Sequence, residues 1–389
     1  MNIRMSNKNA GMSEFPLLDT GEGNIVLCHP HIPKNGVKYV TDTLSTRWIG
    51  QGPKVDLFEK KFSEKFCSNN PAVAVGSGTD ALHLSYLLAD INPKDEVIVP
   101  VFTCTATNIP LLYIGAKIVF ADVDPATLNI NVDHVERLIT ENTKAIVCVH
   151  YGGLPCDMKR INGLASKYGI KVIEDAAHAI GAVSQGIPIG SVSDFTMFSF
   201  QAIKHITTGD GGMLTFRDAD LYEKAKRLRW FGIDRSQKHL GIWENDIKEV
   251  GYKYQMTDIG AALGLAAMEE VDEVVSYRKS LLARYIDKLG GNKDITIVGK
   301  DVPQGDEHAA WLFTVLVEDR VGLQKKLREA KIESAQMHYR NDRYSIFGGR
   351  RPDLVNMDSI EEKYLVLPLH TKMNLDDVNR IAEVIHSGW

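Results

Sequence analysis

Phe195-Thr196-Met197-Phe198-Ser199-Phe200-Gln201-Ala202-Ile203-Lys204-His205-Ile206-Thr207-Thr208-Gly209-Asp210-Gly211-Gly212-Met213-Leu214-Thr215 is the stretch from which the fold is read. The apolar run Phe195–Ser199 reads as a strand, a polar turn follows, and Gly212–Thr215 reads as the next strand. The same pattern extends upstream. Apolar runs at Val73–Val75, Glu96–Val99, Lys117–Ala121, Ala145–Val149 and Lys171–Glu174 alternate with helical patterns at Asp80–Ala89, Thr105–Ile114, Val132–Ile139 and Lys159–Tyr168. Such alternation predicts βαβ units with right-handed crossovers, and so a mostly parallel sheet covered on both faces. The expected fold class is α/β, with a large domain over residues 1–275. A helix rich in Ala and Leu, Met256–Val275, carries the chain out of it. Residues 276–389 mix helices with strands such as Trp311–Val317 and read as a smaller α+β domain.

Composition narrows the function classes. A chain of 389 residues exceeds one simple core, which supports two domains. Apolar residues are 44% and charged residues 24%, ordinary for a globular protein, so disorder is not expected. The net charge of −5 comes with both signs interspersed, which argues against a nucleic-acid partner. No apolar run reaches the roughly 18–20 residues of a membrane span. Residues 1–12 are polar and lack the apolar stretch of a signal peptide. Cys28, Cys67, Cys104, Cys148 and Cys156 are scattered without a C-x-x-C pair, against a disulfide framework or a structural metal site. A cytoplasmic protein is expected.

Three motifs carry chemistry. Gly76-Ser77-Gly78-Thr79-Asp80 follows a strand and opens a helix. Glycines let backbone N–H groups approach an anion, and a helix N-terminus favours negative charge; the plain alternative is a turn capped by Thr79 or Asp80. Val172-Ile173-Glu174-Asp175-Ala176-Ala177-His178 places an acidic pair at the carboxyl end of a strand, where ligands of open α/β sheets sit. A carboxylate there suits a protonated ring nitrogen; the plain alternative is a cap or ion pair. Lys204 lies on a loop with Ser199, Thr207, Thr208, Gly209, Gly211 and Gly212. In a cleft it loses solvent, its pKa falls, and it becomes the neutral amine that Schiff-base chemistry needs; the plain alternative is a solvated surface lysine. Their order matters more than any one of them. A cofactor with a phosphate, a pyridine nitrogen and an aldehyde needs these partners.

The runs G-S-G-T-D-A-L, E-D-A-A-H-A-I-G, D-F-T-M-F-S-F-Q-A-I-K-H-I-T-T-G-D-G-G-M and G-Y-K-Y-Q-M-T-D-I-G-A-A-L-G resemble the DegT/DnrJ/EryC1/StrS family of sugar aminotransferases, from about Asn24 to Ile385. The resemblance implies the aspartate-aminotransferase fold (type I), pyridoxal 5′-phosphate as cofactor, and a homodimer with sites at the subunit interface. It implies that Lys204 carries the cofactor as a Schiff base and that Asp175 meets the pyridine nitrogen. It sets His178 beside the ring and makes Gly78, Thr79 and Ser199 phosphate ligands. Tyr252 to Gln255 would reach the neighbouring subunit's phosphate site. In the family an aromatic residue often stacks on the ring where this chain has Cys104; Cys104 reads as a small buried filler, with Phe102 a candidate to shift in. Lys253 and Gln255 stand where Asn and Arg are common, and Lys253 reads as a point charge for phosphate.

The implied reaction is transamination, with glutamate as amino donor and Lys204 as the general base. The acceptor is expected to be a keto sugar, nucleotide-linked, in surface polysaccharide or amino-sugar biosynthesis. A small phosphorylated ketone is the alternative acceptor. Some relatives that replace the lysine by histidine dehydrate sugars; here Lys204 is present and His205 follows it, which favours amino transfer. Gln336 to Arg343 and Trp48 to Gly52 read as possible lips of the cleft, with surface loops as the alternative.

Overall fold

The structure, a computed structural model, describes residues 17–236, 240–242 and 246–389. The polar stretch 1–12 lies outside them. The central sheet comprises β1 (Ala72–Val75), β2 (Glu96–Pro100), β3 (Lys117–Ala121), β4 (Thr143–Val149), β5 (Lys171–Asp175), β6 (Phe195–Ser199) and β7 (Gly212–Phe216). Their spatial order is β1-β7-β6-β5-β4-β2-β3. The pairs from β6 to β3 are parallel, and β7 runs against both β6 and β1. Each strand coincides with an apolar run read from the sequence.

The helices that matter to the site are α1 (Gly36–Leu44), α2 (Pro53–Phe66), α3 (Gly78–Leu88), α4 (Thr105–Ile114), α5 (Val132–Leu138), α6 (Met158–Tyr168), α7 (Tyr222–Leu228) and α8 (Asp258–Leu289). They cover both faces, because successive strand side chains point to opposite sides. Ile98, Ile146, Val172 and Phe198 join one apolar cluster with Phe58 and Phe62 of α2, Ile161 of α6 and Leu265 of α8. Val97, Val147, Ile173 and Met197 join another, with Leu82 and Tyr86 of α3 and Leu111 of α4. The carboxyl ends of β5 and β6 and the start of α3 therefore meet at one end of the sheet.

The helix read as Met256–Val275 is longer than its sequence pattern suggested, spanning 32 residues as α8. Past Val275 its apolar stripe turns to a third cluster. Leu281, Tyr285 and Leu289 pack there with β8 (Ile295–Ile297), β9 (Phe313–Val317) and β10 (Tyr364–Leu367), an antiparallel sheet with β9 in the middle. Ile25 packs in the same cluster. The strand expected from Trp311 starts at Phe313, because the N–H groups of Trp311 and Leu312 both donate to Gly152 O, 2.9 and 3.0 Å away.

A buried ion pair ties α2 to β1 and the end of α7. Arg229 caps α7, and its Nη1 donates to Glu59 of α2 and to Ala74 O of β1 at 2.7 Å. Ala74 N donates to the same Glu59 carboxylate at 2.8 Å. Both side chains are almost out of solvent. Glu59→Ala leaves an unpaired buried guanidinium and is expected to cost about 3–5 kcal/mol in urea unfolding. Glu59→Leu combined with Arg229→Met is expected to cost less than Glu59→Ala alone; an additive or larger loss would show that the pair itself, not its unpaired remainder, holds the elements together.

Candidate active site

β1 ends, the chain turns through Gly76 and Ser77, and α3 begins at Gly78. Ser77 Oγ accepts from Asp80 N at 3.1 Å and caps the helix. Gly78 and Thr79, the opening residues, carry N–H groups for which an α-helix has no internal acceptor. Gly212 at the start of β7 allows a close crossing. A Cβ there would lie 2.5 Å from Ser77 O and 2.8 Å from Gly78 N. Ser199, the last residue of β6, borders the same turn: its Oγ lies 3.4 Å from the point a Gly78 Cβ would occupy. A helix N-terminus, two free-facing N–H positions and a hydroxyl make an anion cradle.

Lys204 follows on the β6–β7 loop. Its Nζ lies 3.5 Å from the centre of the Trp311 ring. Burial pushes the amine down to about 7, while Asp175 and Cys104 pull it up and Arg278 pushes it further down. Asp175 closes β5 and is buried. Its Oδ2 accepts from Thr107 Oγ1 at 2.7 Å and its Oδ1 from Ala177 N at 3.1 Å. Burial raises its pKa; the two hydrogen bonds and the Lys204 cation draw it back.

Trp311, which the sequence motifs did not single out, is the plate of the site. One face carries Lys204; His178 stacks on the indole at 3.7 Å between ring centres and 15° between planes. His338 stacks on His178 in turn, at 5.3 Å. His178 Nδ1 accepts from Gly152 N at 3.3 Å, and burial holds the ring well below its ordinary pKa, so it is neutral. Trp311 Nε1 donates to Ile203 O at 3.1 Å. Ala310, just before it, has φ +55, a conformation most side chains avoid. Arg278 of α8 holds this turn, with Nε on Ala310 O at 2.9 Å and Nη2 on Trp311 O at 2.8 Å.

The structure brings Gly78, Thr79, Ser199, Asp175, His178 and Lys204 to one end of the sheet. Cys104 is there too, near enough to act on the Lys204 charge, but it is exposed at the N-cap of α4 and is not a buried filler. Phe102 does not shift in: it is locked in the core between Tyr151 and Tyr364, with ring centres 5.2 and 4.9 Å away. Thr208, on the Lys204 loop, donates its hydroxyl proton to Asp210 O at 2.7 Å. Lys253 contacts Trp230, its Nζ 3.5 Å from the ring centre, rather than Lys204 or α3. The segment 336–343 is not a surface loop, and it borders the site through His338. Tyr339 and Arg340 pair with Thr103 and Phe102, and buried Arg340 is held by Asp342, Asp358 and Glu361. Trp48, Gln51 and Gly52 line a separate cavity of about 290 Å³ with Trp230 and Arg235.

These residues fit pyridoxal phosphate. The cradle accepts a phosphate, the desolvated amine suits an aldehyde, and Asp175 keeps lone pairs for a ring N–H. His338 Nε2, in the wall beside His178, is a buried polar atom with no partner among the described residues. No helix of the described residues is long and apolar enough to cross a membrane, and no cluster among them suits a metal.

Known proteins resemble this chain in sequence and fold. The chain is 40% identical over 307 residues to a GDP-perosamine synthase of Caulobacter vibrioides, covering 78% of each. It is 34% identical over 378 residues to the spore coat polysaccharide biosynthesis protein SpsC of Bacillus subtilis, covering 92% of this chain and 95% of that one. The solved structure of the putative sugar aminotransferase Spr1654 from Streptococcus pneumoniae, in its PLP form, superposes with a TM-score of 0.88 at 30% identity, over 94% of this chain and 98% of that one. Its fold is that of the fold type I sugar aminotransferases. Residues 30–386 match the family model, and the chain belongs to the pyridoxal-phosphate-dependent DegT/DnrJ/EryC1/StrS aminotransferase family.

Proposed function

We propose that this aminotransferase moves an amino group from glutamate onto a keto sugar carried on a nucleotide, in the cytoplasm and as a homodimer. The observation that carries the reading is the Lys204 amine, desolvated to a pKa of about 7 on the face of Trp311 and flanked by Asp175. When bound, pyridoxal phosphate supplies an electron sink conjugated to the substrate carbon. Lys204 Nζ would bind the aldehyde and, once free and neutral, would take the proton from the donor's α-carbon and deliver it to the carbon of the cofactor that had carried the aldehyde. Asp175, as an anion, holds a proton on the ring nitrogen. Gly78 and Thr79 present N–H groups, and Ser199 a hydroxyl, to the phosphate. Neutral His178 backs the site without adding charge to it.

Relatives named for perosamine and spore coat polysaccharide synthesis support a nucleotide-linked acceptor and a place in surface polysaccharide or amino-sugar biosynthesis. The homodimer is supported by the stretch around Lys253. Phe231, Leu240, Ile242, Ile247 and Val250 are exposed apolar side chains there, and Lys253 lies on the Trp230 ring. In a pair of subunits it would serve the partner's phosphate. The free state of all five cysteines agrees with a cytoplasmic setting.

Lys204→Ala is expected to abolish the visible absorbance of bound cofactor and amination of nucleotide-linked keto hexoses; activity at the unsubstituted level would overturn the assignment. Capture of pyridoxal phosphate needs the unprotonated amine, so its rate is expected to rise with pH and level off above about 7. Asp175 raises the Lys204 value, so Asp175→Asn is expected to move that midpoint to lower pH. A stopped-flow absorbance series against pH checks both signs. A midpoint at the ordinary lysine value would show a solvated amine.

A further inference from the structure

Asp175 is held by a chain of groups that the chemistry above does not use. We propose that Thr107 is a positioning residue, the middle link of a one-way hydrogen-bond relay from Thr103 that keeps Asp175 anionic and aimed, and that Asn341 locks this relay from the C-terminal part of the chain. The inference rests on the reading that Asp175 serves the ring nitrogen.

The direction of the relay follows from counting protons. Thr107 Oγ1 donates to Asp175 Oδ2 at 2.7 Å, so its one hydroxyl proton is committed. The 2.8 Å contact between the Thr103 and Thr107 hydroxyls must then run from Thr103 to Thr107. A hydroxyl that accepts while it donates is the better donor, because the two bonds polarise each other. Both threonines are buried, so no water competes. Ala177 N occupies one position on Oδ1. Each carboxylate oxygen thus takes one donor from the chain and keeps capacity for another. Both bonds favour the anion over the acid.

Thr103 is itself fixed from outside the large sheet. Tyr339 and Arg340 pair with Thr103 and Phe102 as a short antiparallel ladder. Asn341 N donates to Val101 O at 2.6 Å, and Asn341 Nδ2 donates to Thr103 O at 2.8 Å. Asn108 Nδ2 donates back to Asn341 Oδ1 at 2.9 Å. Asn341 therefore bonds to both sides of the turn that carries Thr103 and Thr107. The bidentate Arg340–Asp342 pair, at 2.6 and 2.7 Å, fixes its neighbours. β-Branching at both threonines restricts χ1, so backbone placement sets hydroxyl placement.

The titratable groups that face Asp175 are few. Lys204 favours the anion. His150 lies behind it, with Nδ1 accepting from Cys156 N at 3.1 Å and Nε2 2.8 Å from Glu174, and it favours the anion in the same direction. Tyr86 and Cys148, also within reach of the Asp175 charge, are pushed up by their surroundings and stay neutral. The Thr107 bond is thus a principal support for the anion.

The test uses the full-length chain loaded with pyridoxal phosphate, in Thr107→Val, Thr107→Ser, Thr103→Val and Asp175→Asn forms. The readouts are the cofactor dissociation constant, from absorbance titration, and the pH dependence of the glutamate half-reaction. Thr107→Val is expected to weaken cofactor binding about tenfold, the scale of a hydrogen bond to a charged group. Losing a donor to the anion raises the Asp175 pKa, so the acid limb of the half-reaction moves to higher pH. Thr107→Ser restores most of both, and Thr103→Val shifts both less, in the same direction. Unchanged affinity and pH profile in Thr107→Val, with Asp175→Asn impaired, overturns the relay and leaves the role of Asp175 standing. Equal impairment in Thr107→Val and Thr107→Ser also overturns it, since packing and not the hydroxyl would then be at work. Asp175→Asn behaving as the unsubstituted enzyme overturns the role of Asp175 itself. If Thr107→Val does not fold, Thr103→Val decides: no shift in either readout overturns the relay.

Discussion

An amine removed from water loses its charge more readily, and the site is organised around that penalty at Lys204. Burial is the largest influence on the group, and Arg278 acts in the same direction. Arg278 is itself buried, with backbone carbonyls of Ala310 and Trp311 as acceptors, so it contributes positive potential that no carboxylate in those bonds cancels. Asp175 and Cys104 oppose it. The balance at about 7 leaves a lysine that is part neutral near neutrality. A solvated lysine at the same position would be almost wholly protonated and a poor nucleophile.

Keeping that amine dry explains why the backbone departs from regularity before β9. The strap His308–Leu312 has to pass under Lys204 and present an indole face to it. Ala310 adopts φ +55 to do so, and the cost of such a conformation is of order 1–3 kcal/mol. The surroundings over-determine it. Ala309 N donates to Gly153 O, Ala309 O accepts from His205, Ala310 N donates to His308 Nδ1, and Arg278 takes the two carbonyls beyond. His205, next to the lysine in sequence, thus holds the strap and is turned away from chemistry. Gly153 allows this approach, because a Cβ there would lie 2.9 Å from His178 O.

The sheet was legible because each strand is a continuous apolar run, and the cradle, the acid and the lysine because each sits at a strand end. The extent of α8 was not. Ser276-Tyr277-Arg278-Lys279 looks like a stop, yet Leu281, Tyr285 and Leu289 carry the stripe on against a different cluster. Trp311 was illegible for a related reason: an aromatic residue opening an apolar run reads as the start of a core strand, and its partner Lys204 is distant in sequence. Arg340 was illegible in the opposite sense: in a segment read as a possible lip, a cation looks free to meet a ligand, but its charge is already met by Asp342, Asp358 and Glu361. Pairing of that kind depends on which segments fold together, and residue type does not disclose it.

The acidic pair Glu174-Asp175 shows how strand geometry assigns different tasks to adjacent carboxylates. Successive side chains of β5 point to opposite faces. Glu174 turns to one face, where Oε2 accepts from His150 and Oε1 from Thr196 Oγ1 at 3.2 Å. Asp175 turns to the other, toward Thr107 and Lys204. The order of the two acids follows from reach. Asp175 is the last residue of the strand, and its short side chain can accept from Ala177 N just beyond the strand end. Glu174, one residue inside, needs its extra methylene to meet His150. A one-residue slip of β5 would exchange the faces. It would leave a carboxylate opposite His150 too short to span the gap and a longer one crowding the cleft. The register of β5 against β4 and β6, set by Val172 and Ile173 entering opposite clusters, therefore decides which acid faces Lys204.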